Sequence, residues 1–270
     1  MRITAHDINF TIDSRTIFDG VSLDVPSGTA MALTGPSGSG KTTLLNCLSL
    51  LLPVSRGEIL IDGTDVTRLS KGRRRRFWRD SVAFVFQDYG LVPDESVGFN
   101  VCMESSPLFR KPKKWGAGVE DALNRVGLTG RASEQVAKLS GGERQRVGIA
   151  RAIHKKAKVI FADEPTASLD AGNRQIVHDL LLGEKARGAT IVISTHDDHL
   201  IVRLRCGVPP GLLRARAGSP AETRFVCAAE RINGTSAGGQ APRSVRNRGP
   251  LPGPLALWSS ARATALVNDV

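Results

Sequence analysis

The chain has few cysteines and no long apolar run. Its 270 residues include only 4 Cys, none in a C-x-x-C pair, so the sequence indicates neither a disulfide framework nor a zinc knuckle. The longest apolar stretch, residues 44–54, is far short of the roughly 20 residues that span a bilayer. The first residues alternate polar and apolar, which argues against a secretory signal. The sequence therefore predicts reduced thiols and no membrane span of its own.

Acidic residues are scarce relative to basic ones. Lys plus Arg number 37 against 26 Asp plus Glu, a net charge of +11, which invites a nucleic-acid or membrane-surface interpretation. Residues 203–270 contain ten Arg and three acids, so +7 of that charge belongs to them and +4 to the rest. No aromatic-rich platform for base stacking accompanies the arginines. We therefore expect no nucleic-acid partner.

The same last segment differs from the rest in other respects. Residues 203–270 contain no Lys and seven of the 14 Pro, and show neither a helical nor a strand period. We therefore expect a folded domain over residues 1–202, followed by an atypical and irregular tail. The abrupt loss of Lys and of periodicity leads to the hypothesis that a frameshift produced this tail.

Strand-like and helix-like segments alternate through the first 200 residues. Residues 1–66 are β-rich, with turn points at Asp13, Gly28 and Gly63, and predict an antiparallel N-terminal subdomain. Apolar strands at 30–34, 82–86, 159–162 and 191–194 are separated by helical patterns, which predicts an α/β fold with a mostly parallel core sheet. Residues 88–150 predict an inserted helical subdomain, in which helix 119–126 ends at Gly127.

A glycine-rich segment stands between a predicted strand and a predicted helix. Gly35, Gly40, Lys41 and Thr42 have the spacing of a phosphate-binding loop, whose backbone N–H groups and helix N-terminus hold phosphates. We expect Lys41 to bridge the β- and γ-phosphates and the Thr42 hydroxyl to bind Mg²⁺. The predicted phosphate-binding residues are Gly35, Pro36, Ser37, Gly38, Ser39, Gly40, Lys41, Thr42 and Thr43.

A second apolar strand, residues 159–163, ends in two acids. A carboxylate at the carboxyl end of a parallel strand lies where α/β sheets bind ligands, so Asp163 can hold Mg²⁺ through water. Glu164 is then placed to orient and deprotonate an attacking water. The alternative is a strand followed by an acidic turn without a catalytic role.

The third element begins a helix. Ser140 and Glu143 have the spacing of a capping box, and Gly141 and Gly142 expose backbone N–H groups between them. The segment could be only a capped helix. A second anion-binding helix terminus also suits a head-to-tail pair of chains, in which each chain completes the nucleotide site of the other.

In their order along the chain, these motifs resemble the ATP-binding subunit of ATP-binding cassette (ABC) transporters, a P-loop NTPase. Residues 35–42 resemble the Walker A loop, 139–143 the family signature, 159–164 Walker B with the catalytic glutamate, and 168–170 the D-loop. Gln87 resembles the Q-loop glutamine and His196 the switch histidine. Segments 87–92 and 168–174 resemble the lipoprotein-release and macrolide-export branch, and 94–100 its bacteriocin-export members.

The resemblance implies an ATPase that binds ATP and Mg²⁺ and powers a transmembrane permease, an exporter. Glu164, His196 and Gln87 would be catalytic, and Thr42, Gln87 and Asp163 would hold the metal. In a dimer with a second ATP-binding subunit, most simply a homodimer, Ser140 and Gly142 of one chain would complete the γ-phosphate shell of the other. The chain would then be cytoplasmic and peripheral, on the inner face of the cell membrane. The permease and the transported substrate would not be specified by this chain.

Some features leave alternatives open. The family's adenine-stacking aromatic residue would fall at Ile12, with Phe10 on the same strand face as either a stacking platform or part of the core. The run Arg73 to Arg76 is interpreted as a solvated helix face with Phe77 or Trp78 turned inward, although attraction to anionic lipids is an alternative. The histidines other than His196 show no metal-ligand spacing and are expected to be surface or structural.

Two other functions would fit a cassette of this kind. One is a non-transport ATPase acting on nucleic acid or the ribosome, which typically has a coiled coil, zinc modules or two cassettes, none visible here. The other is a degenerate regulatory subunit that binds ATP without useful turnover, which the atypical tail would suggest.

Overall fold

The structure, a computed structural model, describes residues 1–103 and 115–205 and two short strands beyond them. Strands and helices alternate as predicted for an α/β protein. The strands are β1 (Ile3–Ile12), β2 (Arg15–Val25), β3 (Ala30–Thr34), β4 (Arg56–Ile61), β5 (Thr64–Asp65), β6 (Val82–Val85), β7 (Val159–Asp163), β8 (Thr190–Ser194), β9 (Leu213–Ala215) and β10 (Val226–Cys227). The helices are α1 (Lys41–Leu48), α2 (Lys71–Ser81), α3 (Val97–Cys102), α4 (Ala117–Arg125), α5 (Gly141–His154), α6 (Ala171–Ala186) and α7 (Asp198–Arg205), with a 3₁₀ turn at Val136–Lys138.

The N-terminal strands form an antiparallel sheet in the order β5-β4-β1-β2-β9. In β1, Ile3 lies opposite Val25 of β2 and Ile61 of β4. Ile3 and Ala5 are buried on one face, because successive side chains of a strand point to opposite faces. A register shift between Ala5 and Ile8 then brings Ile8 and Phe10 to the buried face. This confirms the antiparallel N-terminal sheet expected from the alternating pattern.

The second sheet has the order β10-β3-β8-β7-β6, in which β3, β8, β7 and β6 are parallel. Asp163 of β7 lies opposite Ser194 of β8, and Ala162 lies opposite Val85 of β6. Because the strands are in register, their carboxyl ends meet at one edge. The mostly parallel core sheet is confirmed.

The central strand β7 has a hydrophobic cluster on each side. Phe161 belongs to the cluster that contains Leu44 and Leu48 of α1 and the inner face of the antiparallel sheet. Ile160 belongs to the cluster that contains α5 residues such as Ile149. A strand covered on both faces has no polar face, which explains the continuous apolar run in the sequence.

Polar contacts hold together the helical segment between β6 and β7. Helix α4 ends at Arg125 with Val126 as its C-cap, and Gly127 has a φ of 71°, which confirms the predicted stop. Arg151 of α5 donates from Nε to the Asn100 carbonyl at 2.9 Å and from Nη2 to the Gly90 carbonyl at 2.8 Å. Burial lowers the pKa of Arg151 to about 10. These bonds join α5 to α3 and to the turn after β6.

Helix α2 carries the arginine run. Phe77 and Trp78 pack against the core beneath the antiparallel sheet, and Trp78 Nε1 donates to the Ser49 carbonyl at 2.8 Å. Arg79 and Arg76 are 71% and 78% exposed and pair with Asp80. The prediction of a solvated face with inward aromatic residues is confirmed.

Both short strands beyond residue 205 extend a sheet. Strand β9 pairs with β2, with Ala215 opposite Val21, and β10 pairs with β3, with Cys227 opposite Leu33. The sequence predicts no strand after about residue 202, so these strands differ from that expectation. Backbone groups on an open sheet edge can pair with a short segment whatever its side-chain period. The rest of the predicted irregular tail lies outside the described residues.

Candidate functional site

The predicted site residues follow the parallel strands at the carboxyl edge of the sheet. Gly35 follows β3, Asp163 ends β7, His196 stands two residues after β8, and Gln87 stands two residues after β6. Parallel α/β sheets bind ligands at this edge, because the loops that leave the strands converge there. Residues that are far apart in the sequence therefore lie along the same edge of the sheet.

The glycine-rich loop curls around the lysine that follows it. Gly40 has a φ of 88° at the start of α1, and a Cβ there would lie 2.9 Å from the Ile17 side chain. Lys41 Nζ donates to the Gly35 carbonyl at 2.9 Å and to the Pro36 carbonyl at 3.0 Å. Burial lowers the pKa of Lys41, and the carboxylates of Glu164 and Asp163 act in the opposite direction. The lysine is therefore held within the loop, beside both acids.

Asp163 is surrounded by hydroxyl groups. The Thr42 hydroxyl donates to Asp163 Oδ1 at 3.0 Å, and the Ser194 hydroxyl donates to the same oxygen. Mg²⁺ prefers oxygen ligands and is usually held by one or two protein groups together with substrate phosphates and water. The hydroxyl and carboxylate oxygens of Thr42 and Asp163 fit such a site.

Glu164 has an unusual backbone and a close histidine. Its φ of 43° is left-handed, and its N–H donates to the Ser194 carbonyl at 3.0 Å. His196 Nε2 lies 3.2 Å from Glu164 Oε1, and the His196 backbone N–H donates to Oε2 at 3.3 Å. Burial raises the pKa of Glu164, while His196 and Lys41 counteract part of this effect. A raised pKa suits a carboxylate that accepts a proton from water near neutral pH.

The start of α5 has the predicted capping box. Ser140 Oγ accepts from the Glu143 N–H at 3.3 Å, and the Ser140 N–H donates to Glu143 Oε2 at 2.8 Å. A Cβ on Gly142 would lie 2.3 Å from the Asn173 side chain, and a Cβ on Gly141 would lie 2.8 Å from the Tyr89 hydroxyl. The two glycines are therefore needed for close packing within this chain.

The structure brings together some predicted site residues and separates others. Lys41, Thr42, Asp163, Glu164 and His196 form one cluster. In the described part of the chain, no hydrogen bond joins Gln87, Ser140 or Gly142 to that cluster. Gln87 is exposed in the turn one strand away, and Ser140 is exposed at the start of α5.

The two candidates for an adenine contact, Phe10 and Ile12, differ in their exposure. Phe10 is 9% exposed and stacks on Phe18 with ring centroids 6.1 Å apart, so it belongs to the core. Ile12 is 45% exposed.

Sequence reasoning missed several residues around the site. Ser194 contacts Asp163, Asp197 follows His196 and contacts His178, and Tyr89 and Asn173 cover the signature glycines. Only Ser194 had a usable signal, because it ends a predicted strand of the same parallel sheet. The others depend on how helices pack, which a linear pattern does not show.

A glycine-rich loop that curls around a lysine, a strand-end acid bonded to Thr42, and a carboxylate paired with histidine lie on one edge of the parallel sheet. This combination defines a P-loop nucleoside triphosphatase. Comparisons with known proteins narrow this class.

The sequence profile of the family described as "ABC transporter" matches residues 18–167. The ABC transporter ATP-binding protein YtrE of Bacillus subtilis is 39% identical over 201 residues, 72% of this chain and 87% of that protein. The lipoprotein-releasing system ATP-binding protein LolD of Bacteroides thetaiotaomicron is 37% identical over 199 residues, 73% of this chain and 91% of that protein. The macrolide export ATP-binding/permease protein MacB of Marinobacter nauticus is 40% identical over 181 residues, 67% of this chain but 28% of that protein.

Solved structures agree with these relatives. The dimeric bacterial ABC transporter cassette MJ0796 has a TM-score of 0.65 and 29% identity, covering 75% of this chain and 90% of that chain. Its post-hydrolysis state with ADP and Pi has a TM-score of 0.63 and 30% identity, covering 73% and 89%.

The chain belongs to the ABC transporter family, in which it is an ATP-binding and ATP-hydrolysing cassette. This confirms the resemblance seen in the sequence, including the relationship to the lipoprotein-release and macrolide-export branch. Every helix in the part of the chain that the structure describes is too short or too polar to cross a membrane.

Proposed function

We propose that this ATPase drives a transmembrane permease that exports its substrate, with Glu164 and His196 as the catalytic pair. The main observation behind this proposal is the position of the Glu164 carboxylate, which lies 3.2 Å from His196 Nε2 and on the same sheet edge as Lys41. The lipoprotein-releasing and macrolide-export relatives support the exporter class.

The phosphate chain of ATP binds along the loop that leads into α1. The backbone N–H groups of the loop and of the first helical turn, together with Lys41, face the phosphates. These groups belong to Gly35, Ser37, Gly38, Ser39, Gly40, Lys41, Thr42 and Thr43, and Pro36 shapes the loop without an N–H. The exposed Ile12 offers the adenine an aliphatic contact in place of an aromatic ring.

Thr42 and Asp163 hold Mg²⁺, as their oxygens 3.0 Å apart support. Held by these two oxygens, Mg²⁺ would neutralise part of the phosphate charge. Ser194, at the end of the neighbouring strand β8, orients the carboxylate of Asp163. Gln87, exposed in the turn beside this edge, would be a third ligand once the nucleotide is bound and would respond to its state.

Glu164 takes the proton of the attacking water, and its raised pKa supports this role. His196 holds the carboxylate in position through both its ring and its backbone N–H. The ring is 52% exposed, which leaves one side free to face the γ-phosphate.

A second copy of the chain completes the site. Ser140 and Gly142 lie at the N-terminus of a helix of 14 residues, whose free N–H groups favour an anion, and they are separated from the cluster of their own chain. A head-to-tail homodimer places this terminus on the γ-phosphate held by the partner's loop, and the dimeric cassette MJ0796 supports the arrangement. Closure of the dimer around ATP then shifts the permease between states.

The chain acts as a peripheral subunit on the cytoplasmic face of the cell membrane, held there by its permease. The transporter relatives support this location, and no feature of the described residues favours a nucleic-acid partner. The ATPase domain spans residues 1–202, with a helical subdomain at about 88–150. The relatives support a domain of this length, since their matches cover 181 to 201 residues. Residues 203–270 are then a frameshift-derived tail, of which β9 and β10 pair with strands of the domain.

The test is Glu164→Gln, which keeps the shape of the side chain and removes its basicity. We expect ATP binding to be retained, turnover to fall by roughly 10²- to 10⁴-fold, and a dimer to accumulate in ATP during size-exclusion chromatography. Glu58→Gln, on the exposed part of β4, removes the same charge elsewhere and serves as the control. Unchanged turnover in Glu164→Gln would refute the assigned role. If the wild-type protein binds ATP but does not hydrolyse it, the regulatory-subunit alternative would be favoured.

A further inference from the structure

His178 of α6 is buried beside the loop that carries His196 and contacts Asp197 of that loop. Its side chain is 2% exposed, and Nε2 lies 3.0 Å from Oδ2 of Asp197, which is itself 8% exposed. Asp197 directly follows His196 in the chain. This buried histidine therefore contacts the residue next to His196, one member of the proposed catalytic pair.

The Asp197 carboxylate joins the two segments that carry Glu164 and His196. The Thr166 hydroxyl, two residues after Glu164, donates to Asp197 Oδ2 at 3.2 Å. The Leu200 N–H at the start of α7 donates to Oδ1 at 3.2 Å, and Arg174 Nε lies 3.7 Å from Oδ2, at ion-pair distance. One carboxylate thus fixes the loop after β7 relative to the loop after β8.

The protonation state of His178 follows from its surroundings. Burial lowers the pKa of His178, opposed by Asp197 and assisted by Arg203 and Arg174. Burial alone would raise the pKa of Asp197, but the Leu200 N–H and His178 outweigh it and the pKa is lowered. His178 Nδ1 is buried and has no hydrogen-bond partner among the described residues. A proton there would be an unsatisfied buried donor, so the imidazole is neutral and donates from Nε2 to the carboxylate.

We infer that His178 is a positioning residue for ATP hydrolysis: its Nε2–H fixes Asp197, and Asp197 sets the distance between His196 and Glu164. This inference rests on the proposed roles of those two residues. The contact between His196 Nε2 and Glu164 Oε1, 3.2 Å, joins one side chain that is half exposed to another that is nearly buried. Among the described residues this is the one polar contact of the His196 ring, so the position of the ring also depends on the backbone that Asp197 anchors.

The experiment compares two substitutions of similar volume. His178→Met fills the site without an N–H donor, whereas the amide of His178→Gln can still donate to Asp197. We expect His178→Met to lower kcat for ATP by roughly tenfold or more with KM and ATP binding almost unchanged, and His178→Gln to restore most of kcat. A role in packing alone would not produce this separation of kcat from KM or the rescue by glutamine.

His196→Ala, measured beside them, separates the failure of this inference from that of the proposed function. Slow turnover in His196→Ala with wild-type kcat in His178→Met overturns the positioning role. Wild-type turnover in His196→Ala overturns the proposed role of His196 instead. Equal losses of kcat in His178→Met and His178→Gln also overturn the inference. If His178→Met does not fold, Thr166→Val removes another donor to the same oxygen with little change of shape, and the same separation of kcat from KM is expected.

Discussion

Replacing Ser140 with alanine separates two contributions of one hydroxyl group. Within the chain, Ser140 Oγ accepts from the Glu143 N–H at 3.3 Å and caps α5, so its loss should cost about 1 kcal/mol of folding stability. In the proposed dimer the same hydroxyl also donates to a phosphate of the partner's ATP. A charge-assisted hydrogen bond of this kind contributes about 1.5 to 3 kcal/mol, which corresponds to roughly a 10- to 150-fold loss of turnover.

Ser70 provides the matched control. It is an exposed N-cap serine whose Oγ accepts from the Arg73 N–H at 3.5 Å, but it begins α2 and is not assigned to phosphate. Urea denaturation should show a loss of about 1 kcal/mol or less for Ser70→Ala and a similar loss for Ser140→Ala. ATPase rates at saturating ATP, measured over a range of protein concentrations, should fall only in Ser140→Ala. Equal rates in the two variants would refute the assignment of Ser140 to the partner's nucleotide.

Two further predictions concern stability. Burial lowers the pKa of Lys155 from 10.5 to about 8, while Nζ donates to the Trp78 carbonyl at 2.6 Å. Between those pH values the unfolded chain binds more protons, so stability rises with pH, by about 1 to 2 kcal/mol from pH 7 to pH 10 after allowing for partial exposure. Urea midpoints should show this rise in the wild type and not in Lys155→Met. If stability depends on pH in the same way in both proteins, the assignment to Lys155 is wrong. Gly57 has a φ of 88°, and a Cβ there would lie 2.4 Å from the Asp7 carbonyl, whereas Gly63 has a φ of 78° and open space around it. Gly57→Ala should therefore cost about 3 kcal/mol or more and Gly63→Ala about 1 to 2 kcal/mol by the same measurement, and equal losses would exclude the steric explanation.

Much of the fold could be predicted because its signals are local. The buried run of β7 and the alternation of β1 follow from which faces are covered, and Gly127 ends α4 through its own backbone freedom. The edges of the sheets could not be predicted in this way. β9 and β10 are only 3 and 2 residues long, too short to show an alternating pattern in the sequence.

The candidate site divides in the same manner. Lys41, Asp163 and Glu164 were predicted because each stands at a fixed offset from a strand end, and parallel strands bring such offsets together. His178 reaches the site only through the packing of α6 on the loop after β8, some 18 residues from His196 in the chain. A lone histidine within a helix has no pattern that distinguishes this position from an ordinary buried one.

The pairing of β9 and β10 bears on the solubility of the protein. β2 and β3 would otherwise be the outer strands of their sheets, and unpaired strand edges are templates for aggregation. The segment beyond residue 205, whatever its origin, covers part of both edges, opposite Val21 to Leu23 and Leu33 to Thr34. A chain cut at the end of the cassette motifs would keep its catalytic groups but expose both edges. By pairing with β2 and β3, the unusual C-terminal segment therefore leaves fewer backbone groups open on these two edges, a contribution that its composition alone does not suggest.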